Sequence, residues 1–234
     1  MGEFQDRHVV VTGGTGALGL AVVAALIDRG AICHVSYRKP DEAQRFSFKD
    51  DAQVTLTGPV DLTDENSVAA LYRSVPKLWA SIHLAGGFAM KPAAETGKAD
   101  LMRMIEMNLV TCQLCCAASI RAMIQTGQGG RIVNVAARAA LEPRTGAGSA
   151  AYAAAKAAVA ALTEAVAEEV AKDGILVNAV APSIMDTPAN QQSMPKAVHE
   201  SWPKVAEVAA TICFLSSPAN RVTRGAIIPV YGRV

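Results

Sequence analysis

The stretch "HVVVTGGTGALGLAVVAALIDRG", residues 8–30, decides how this chain is read. His8 to Thr12 is rich in valine and has the composition of a buried strand. Gly13, Gly16 and Gly19 follow, within and behind a turn, and an apolar helical pattern runs on to Asp28 and Arg29. Glycine at those places lets the backbone turn tightly and come close to a ligand. The helix behind the turn directs its free amides and positive dipole end toward that ligand, which suits a pyrophosphate. Glycines by themselves mark only a tight turn; the strand before them and the helix after them predict a nucleotide site.

The same alternation continues outward. Strand-like runs fall at His8–Thr12, Ile32–Tyr37, Val54–Thr57, Ser81–Leu84, Arg131–Val135, Leu176–Ala179 and Ala226–Val230. Helical patterns fall near 18–29, 64–74, 101–126, 150–172 and 204–216. Strand and helix in turn predict an α/β chain, a Rossmann-type doubly wound parallel sheet of about seven strands with helices on both faces. No repeat, linker or low-complexity tail divides residues 1–234, so one domain is expected. The polar, proline-punctuated interval 182–203 follows a strand. It is expected over the carboxyl edge of the sheet, as a substrate loop that acts as a lid.

Composition narrows the function. The chain carries 22 basic and 21 acidic residues, a net charge of +1, so neither nucleic acid nor an anionic membrane is the expected partner. No uninterrupted apolar run reaches about 18 residues, and "MGEFQDRHVVVTGG" lacks the pattern of a signal peptide, so a cytoplasmic protein is expected. Five cysteines, with Cys112, Cys115 and Cys116 on one helical pattern and no histidine nearby in sequence, read as buried thiols rather than metal ligands.

Two places carry the chemistry. The strand "AICHVSYRKP" ends in Ser36, Tyr37, Arg38 and Lys39, with no acid before Asp41. A carboxylate at this strand end would suit the 2′-hydroxyl of NAD, whereas Arg38 suits the 2′-phosphate of NADP. In "SAAYAAAKAAVAAL" Tyr152 and Lys156 lie four residues apart on one helix face. An ammonium close to a phenol is expected to lower the phenol's pKa and fit it for proton transfer. Ser149, three residues earlier, is expected to cap the helix.

With these segments in order, the chain resembles the short-chain dehydrogenases/reductases over essentially its whole length. Thr12, Gly13, Gly16 and Gly19 resemble the family's glycine-rich cofactor motif, and Thr15 and Leu18 fall inside it. Asp61-Leu62 resembles the adenine-side pair, and Leu84-Ala85-Gly86-Gly87 the strand end beside the cofactor. Asn108, Tyr152 and Lys156 match three members of the catalytic tetrad; Pro182 and Thr187 fall in the segment that reaches the nicotinamide. The resemblance implies an NADP(H)-dependent oxidoreductase, with NAD(H) second, acting on a small molecule as a homodimer or homotetramer. The faces formed by Leu109, Leu114 and Ala118, and by Ala157, Ala161 and Ala165, are expected to serve that assembly.

The tetrad's serine is missing. After Asn134 the chain reads Val135, Ala136, Ala137, Arg138. Within the family, "AGGFA" (85–89), "ARAALEPRTG" (137–146) and "MDTPANQQSMP" (185–195) resemble dihydropteridine reductase. That resemblance implies reduction of a quinonoid dihydropterin or similar conjugated ring, bounded by Phe88, Ala137 and Trp202. Such a ring develops no single carbonyl oxyanion and has less need of the serine. A carbonyl or quinone reductase is the alternative, and a non-catalytic NADP-binding sensor is another.

Overall fold

The computed structural model describes residues 2–234. Seven strands form one sheet: β1 (His8–Thr12), β2 (Ile32–Ser36), β3 (Val54–Thr57), β4 (Leu78–His83), β5 (Gly130–Val135), β6 (Ile175–Pro182) and β7 (Ile227–Val230). Their order is β3-β2-β1-β4-β5-β6-β7, and every pairing is parallel. The chain builds outward from β1 to β3, then returns to lay β4 on the other side of β1. That reversal opens a crevice at the carboxyl ends of β1 and β4, where α/β sheets bind ligands.

The period-two geometry of a strand explains the two cores. Val9 and Val11 of β1 pack with Val22 and Leu26 of α1 (Ala17–Ile27) and Ile212 of α9 (Val205–Ser216). Val10, between them, points to the opposite face. There it joins Leu71 of α3 (Glu65–Arg73), Met123 of α5 (Thr111–Thr126) and Val159 of α7 (Ala150–Glu169). Helices therefore cover both faces, as the alternation predicts.

Where the sequence predicts one helix over 101–126, the structure has three pieces. They are α4 (Lys98–Ile105), a π-helical turn at Glu106–Val110, and α5. The physical reason lies with Asn108. Its side-chain Nδ2 donates to the Met104 carbonyl at 3.0 Å, competing with the backbone ladder and widening the turn. Three short helices were also not predicted: α2 (Pro40–Arg45), α6 (Arg138–Leu141) and α8 (Pro188–Ser193). The last lies inside the interval 182–203, where Asp186 pairs with Lys204 and its amide reaches the Pro203 carbonyl.

By length and composition alone, Lys98–Thr126 and Ala150–Glu169 would each suffice to cross a membrane, although charged residues such as Glu106 and Lys156 interrupt both. In this fold Cys112, Cys116 and Met123 of the first, and Val159 and Val166 of the second, are packed on the sheet.

Candidate active site

A groove of about 320 Å³ runs along the crevice. Its middle is the turn Gly13, Thr15 and Gly16, facing Leu84, Ala85 and Gly86 at the end of β4. Gly13 has a φ of +67°, and a Cβ there would lie 2.7 Å from the Ala85 amide nitrogen. A Cβ on Gly19 would collide with the Gly13 carbonyl oxygen, so α1 can dock under the turn only with glycine at that place. One end of the groove is lined by Ser36, Tyr37, Arg38, Glu42, Asp61, Leu62 and Thr63, the other by Met107 and Thr111. An elongated, glycine-walled trough with a guanidinium at one end fits a dinucleotide phosphate chain.

Several cofactor-side residues predicted from sequence meet in this groove; others do different work. Asp61 accepts from the Thr63 amide at 2.9 Å and hydroxyl at 2.7 Å. Those two bonds hold its carboxyl below the usual range, aided by the charge of Arg38. Leu18 of α1 is buried in the core and Gly19 supports the turn from below, so neither lines the groove. Pro182 is buried at the end of β6, and the Thr187 hydroxyl accepts from the Asn190 amide as the cap of α8. Glu42, Thr63, Met107 and Thr111 were not predicted, because no local motif marks them.

At the inner end, α7, the π-turn and the loop after β4 converge. Asn108 is buried and clasps Gly87, donating from Nδ2 to its carbonyl at 3.0 Å and accepting its amide at 3.2 Å. A Cβ on Gly86 would lie 2.7 Å from Asn108 Oδ1 and 3.5 Å from Lys156 Nζ. Only glycine lets the β4 loop pass so close to both. Lys156 is 7% exposed, and its Nζ donates to the Val135 carbonyl at 2.7 Å. Tyr152, one helical turn before Lys156, has its ring edge-on to Phe88, the centroids 4.9 Å apart and the planes at 85°.

The pKa relation differs from expectation. Burial pushes the Tyr152 phenol up to about 12, and burial pushes the Lys156 ammonium down to about 8. The lysine nitrogen lies 6.0 Å from the Tyr152 ring centroid. At that separation the loss of water around the phenol outweighs the attraction of the ammonium for phenolate.

On the substrate side, Ala137 is buried at the start of α6 and carries no donor. Phe88 is 62% exposed and so has a free face. Trp202 departs from expectation: it is 5% exposed and packs at 4.6 Å on His199, so its ring serves the interior of the loop. Ser149 occupies the cap position of α7 but makes no capping bond. Its backbone (φ −140°, ψ 39°) turns the hydroxyl away, and that hydroxyl donates to the Gly146 carbonyl at 3.2 Å. The cysteines also gain a neighbour that sequence distance hid. His83 Nδ1 or Nε2 and the sulfurs of Cys112 and Cys116 lie within 4.8 Å of one another. The ring nitrogens of His83 are engaged by Asn134 Oδ1 at 2.8 Å and by Ser81 Oγ at 2.8 Å, which ties β4 to β5.

The reversal in strand order and the glycine-walled groove at its carboxyl edge place this chain in the dinucleotide-binding α/β class. Within that class, the short chain dehydrogenase family model matches residues 7–197. The chain belongs to that family and is an NAD(P)-dependent oxidoreductase. It is 36% identical to cis-4-hydroxycyclohexanecarboxylate dehydrogenase of Sinomonas cyclohexanicum, over 99% of this chain and 98% of that protein. It is 32% identical to galactitol 2-dehydrogenase of Rhizobium johnstonii, over 97% and 95%. A short-chain type dehydrogenase/reductase from Mycobacterium ulcerans superposes with a TM-score of 0.89 at 26% identity, covering 98% of this chain and 90% of that one. The finer resemblance to dihydropteridine reductase finds no support in these relatives.

Proposed function

We propose that this protein interconverts a secondary alcohol and a ketone on a compact, largely apolar small molecule, with NADP(H) preferred to NAD(H). The observation that carries this reading is the placement of Tyr152 beside the exposed face of Phe88, one helical turn from a buried Lys156 at the inner end of the groove. The hydroxyl substrates in the names of the two curated relatives support the alcohol–ketone chemistry. Arg38 at the far end of the groove supports the cofactor.

The nicotinamide, when bound, supplies the hydride for reduction or takes it up in oxidation. Tyr152 acts as the proton donor to the carbonyl oxygen in reduction; its burial keeps it protonated for that task. Lys156 stabilises the phenolate that remains, and Asn108 holds the Gly87 backbone, which keeps the adjoining Gly86 close to the lysine. With alanine at Ala137, Tyr152 polarises the carbonyl without help from a serine. Phe88 and Met90, both exposed on the loop after β4, offer apolar contact to the rest of the substrate. Exposed Ala161 and Ala165 on α7 support assembly as a homodimer or homotetramer.

One observation favours a second reading. The hydroxyl-free pair Ala136–Ala137 suits a conjugated ring such as a quinonoid dihydropterin, in which charge spreads rather than settling on one oxygen. Steady-state NADPH oxidation with cyclic ketones, quinones and a quinonoid dihydropterin separates the readings. We expect ketone turnover that falls by roughly 10²–10⁴-fold in Tyr152→Phe while nucleotide affinity is kept. Faster turnover of the pterin than of every ketone would select the second reading. No turnover with any of them would leave a nucleotide sensor.

A further inference from the structure

No acid precedes Asp41 at the end of β2, yet the fold brings one to the groove. Glu42 lies in the first turn of α2 and lines the same end of the groove as Arg38 and Asp61. Its Oε2 accepts from the Arg38 amide at 2.9 Å and the Lys39 amide at 3.4 Å. Among the described residues no donor reaches Oε1, and no ion pair joins Glu42 to Arg38. One carboxylate oxygen is thus anchored by backbone, and the other has no partner among the described residues on a side chain that lines the groove.

We propose that Glu42 is a cofactor-selecting residue. Its unanchored oxygen accepts a hydrogen bond from the adenosine ribose of NAD(H), and its charge opposes the 2′-phosphate of NADP(H) that Arg38 attracts. This inference rests on the reading above, which puts the adenosine end of the nucleotide at Arg38. Two opposed groups on one turn hold the preference for NADP(H) at a modest level and keep NAD(H) usable. A hydrogen bond to a charged acceptor is stronger than one to a neutral acceptor. A carboxylate beside a phosphate dianion is unfavourable for the same electrostatic reason.

The test is equilibrium binding of NADPH and NADH, each by titration calorimetry, to the full chain as wild type, Glu42→Gln, Glu42→Asp and Arg38→Ala. Glutamine keeps an acceptor for the Arg38 amide, so α2 stays capped while the charge is removed. We expect Glu42→Gln to tighten NADPH and weaken NADH, moving their affinity ratio by about tenfold. Glu42→Asp, which keeps the charge on a shorter arm, should weaken NADH without tightening NADPH. An unchanged ratio in Glu42→Gln, or equal changes for both nucleotides, overturns the proposal. Arg38→Ala separates the underlying reading. If it weakens both nucleotides equally while Glu42→Gln still moves the ratio, the NADP(H) preference falls and the role of Glu42 stands. Binding of neither nucleotide to the wild type overturns both.

Discussion

The Nζ of Lys156 on α7 is bonded to the carbonyl oxygen of Val135, the last residue of β5, at 2.7 Å. The bond pins the buried cation to the strand end at which Ala136 and Ala137 replace hydroxyl residues. One carbonyl replaces only part of the water that an ammonium loses on burial. The lysine therefore sits at about 8 while the tyrosine sits at about 12. Of the two proposed catalytic groups, the lysine titrates closer to neutrality.

This predicts the pH dependence of reduction. Tyr152 stays protonated throughout the neutral range, but the ammonium beneath it is lost as pH rises through about 8. In the free enzyme kcat/KM for ketone reduction is expected to be flat below that value and to fall above it. Lys156→Arg, whose guanidinium does not titrate there, should retain low activity without the break. A break at the same pH in the arginine variant would remove Lys156 from the profile.

The same shift has a sign for stability. The folded-state value of about 8 lies below the ordinary 10.5, so between them the unfolded chain binds more protons. The contribution of Lys156 should therefore make the fold more stable as pH rises from about 8 toward 10.5. Urea titrations of wild type and Lys156→Met over that window check it, since the methionine variant should lack this component.

Ala137→Ser restores a hydroxyl at the strand end. If the substrate is a ketone, a second donor to its oxygen should raise kcat/KM by about tenfold, a modest share of what an oxyanion donor contributes elsewhere. A pterin-type ring should gain nothing. Parallel kinetics on both substrate classes decide the matter, and a loss for ketones would show that the alanine methyl packs against the substrate.

Asn108→Ala removes the clasp on Gly87 and the bond to Met104. The part-buried amide and carbonyl of Gly87 and the buried Met104 carbonyl lose this partner, which costs about 1–3 kcal/mol. The urea midpoint should fall without a change in slope. Turnover should fall as well, because Gly86 and Lys156 meet at this point.

Local signals carried much of the fold. The runs at His8–Thr12 and Val54–Thr57 coincide with β1 and β3, since a valine- or threonine-rich run between breakers has few other uses. The helix pattern at 204–216 likewise meets α9 within a residue. The pattern 101–126 does not show the break at its middle, because the π-turn arises from one side chain, Asn108, competing with the backbone. Trp202 has the chemistry of a ligand face, but its burial depends on how the loop folds over His199.

By itself the sequence determined the order of strands and helices, the glycine turn at Gly13–Gly19 and the four-residue spacing of Tyr152 and Lys156. Each of these follows from short-range periodicity and backbone freedom, which neighbouring residues specify. Tertiary structure alone decided that Glu42 enters the groove, that His83 meets Cys112 and Cys116, and that burial outweighs the lysine in setting the Tyr152 pKa. Those outcomes depend on distances between elements and on the exclusion of water, and both exist only once the sheet and its helices have closed around them.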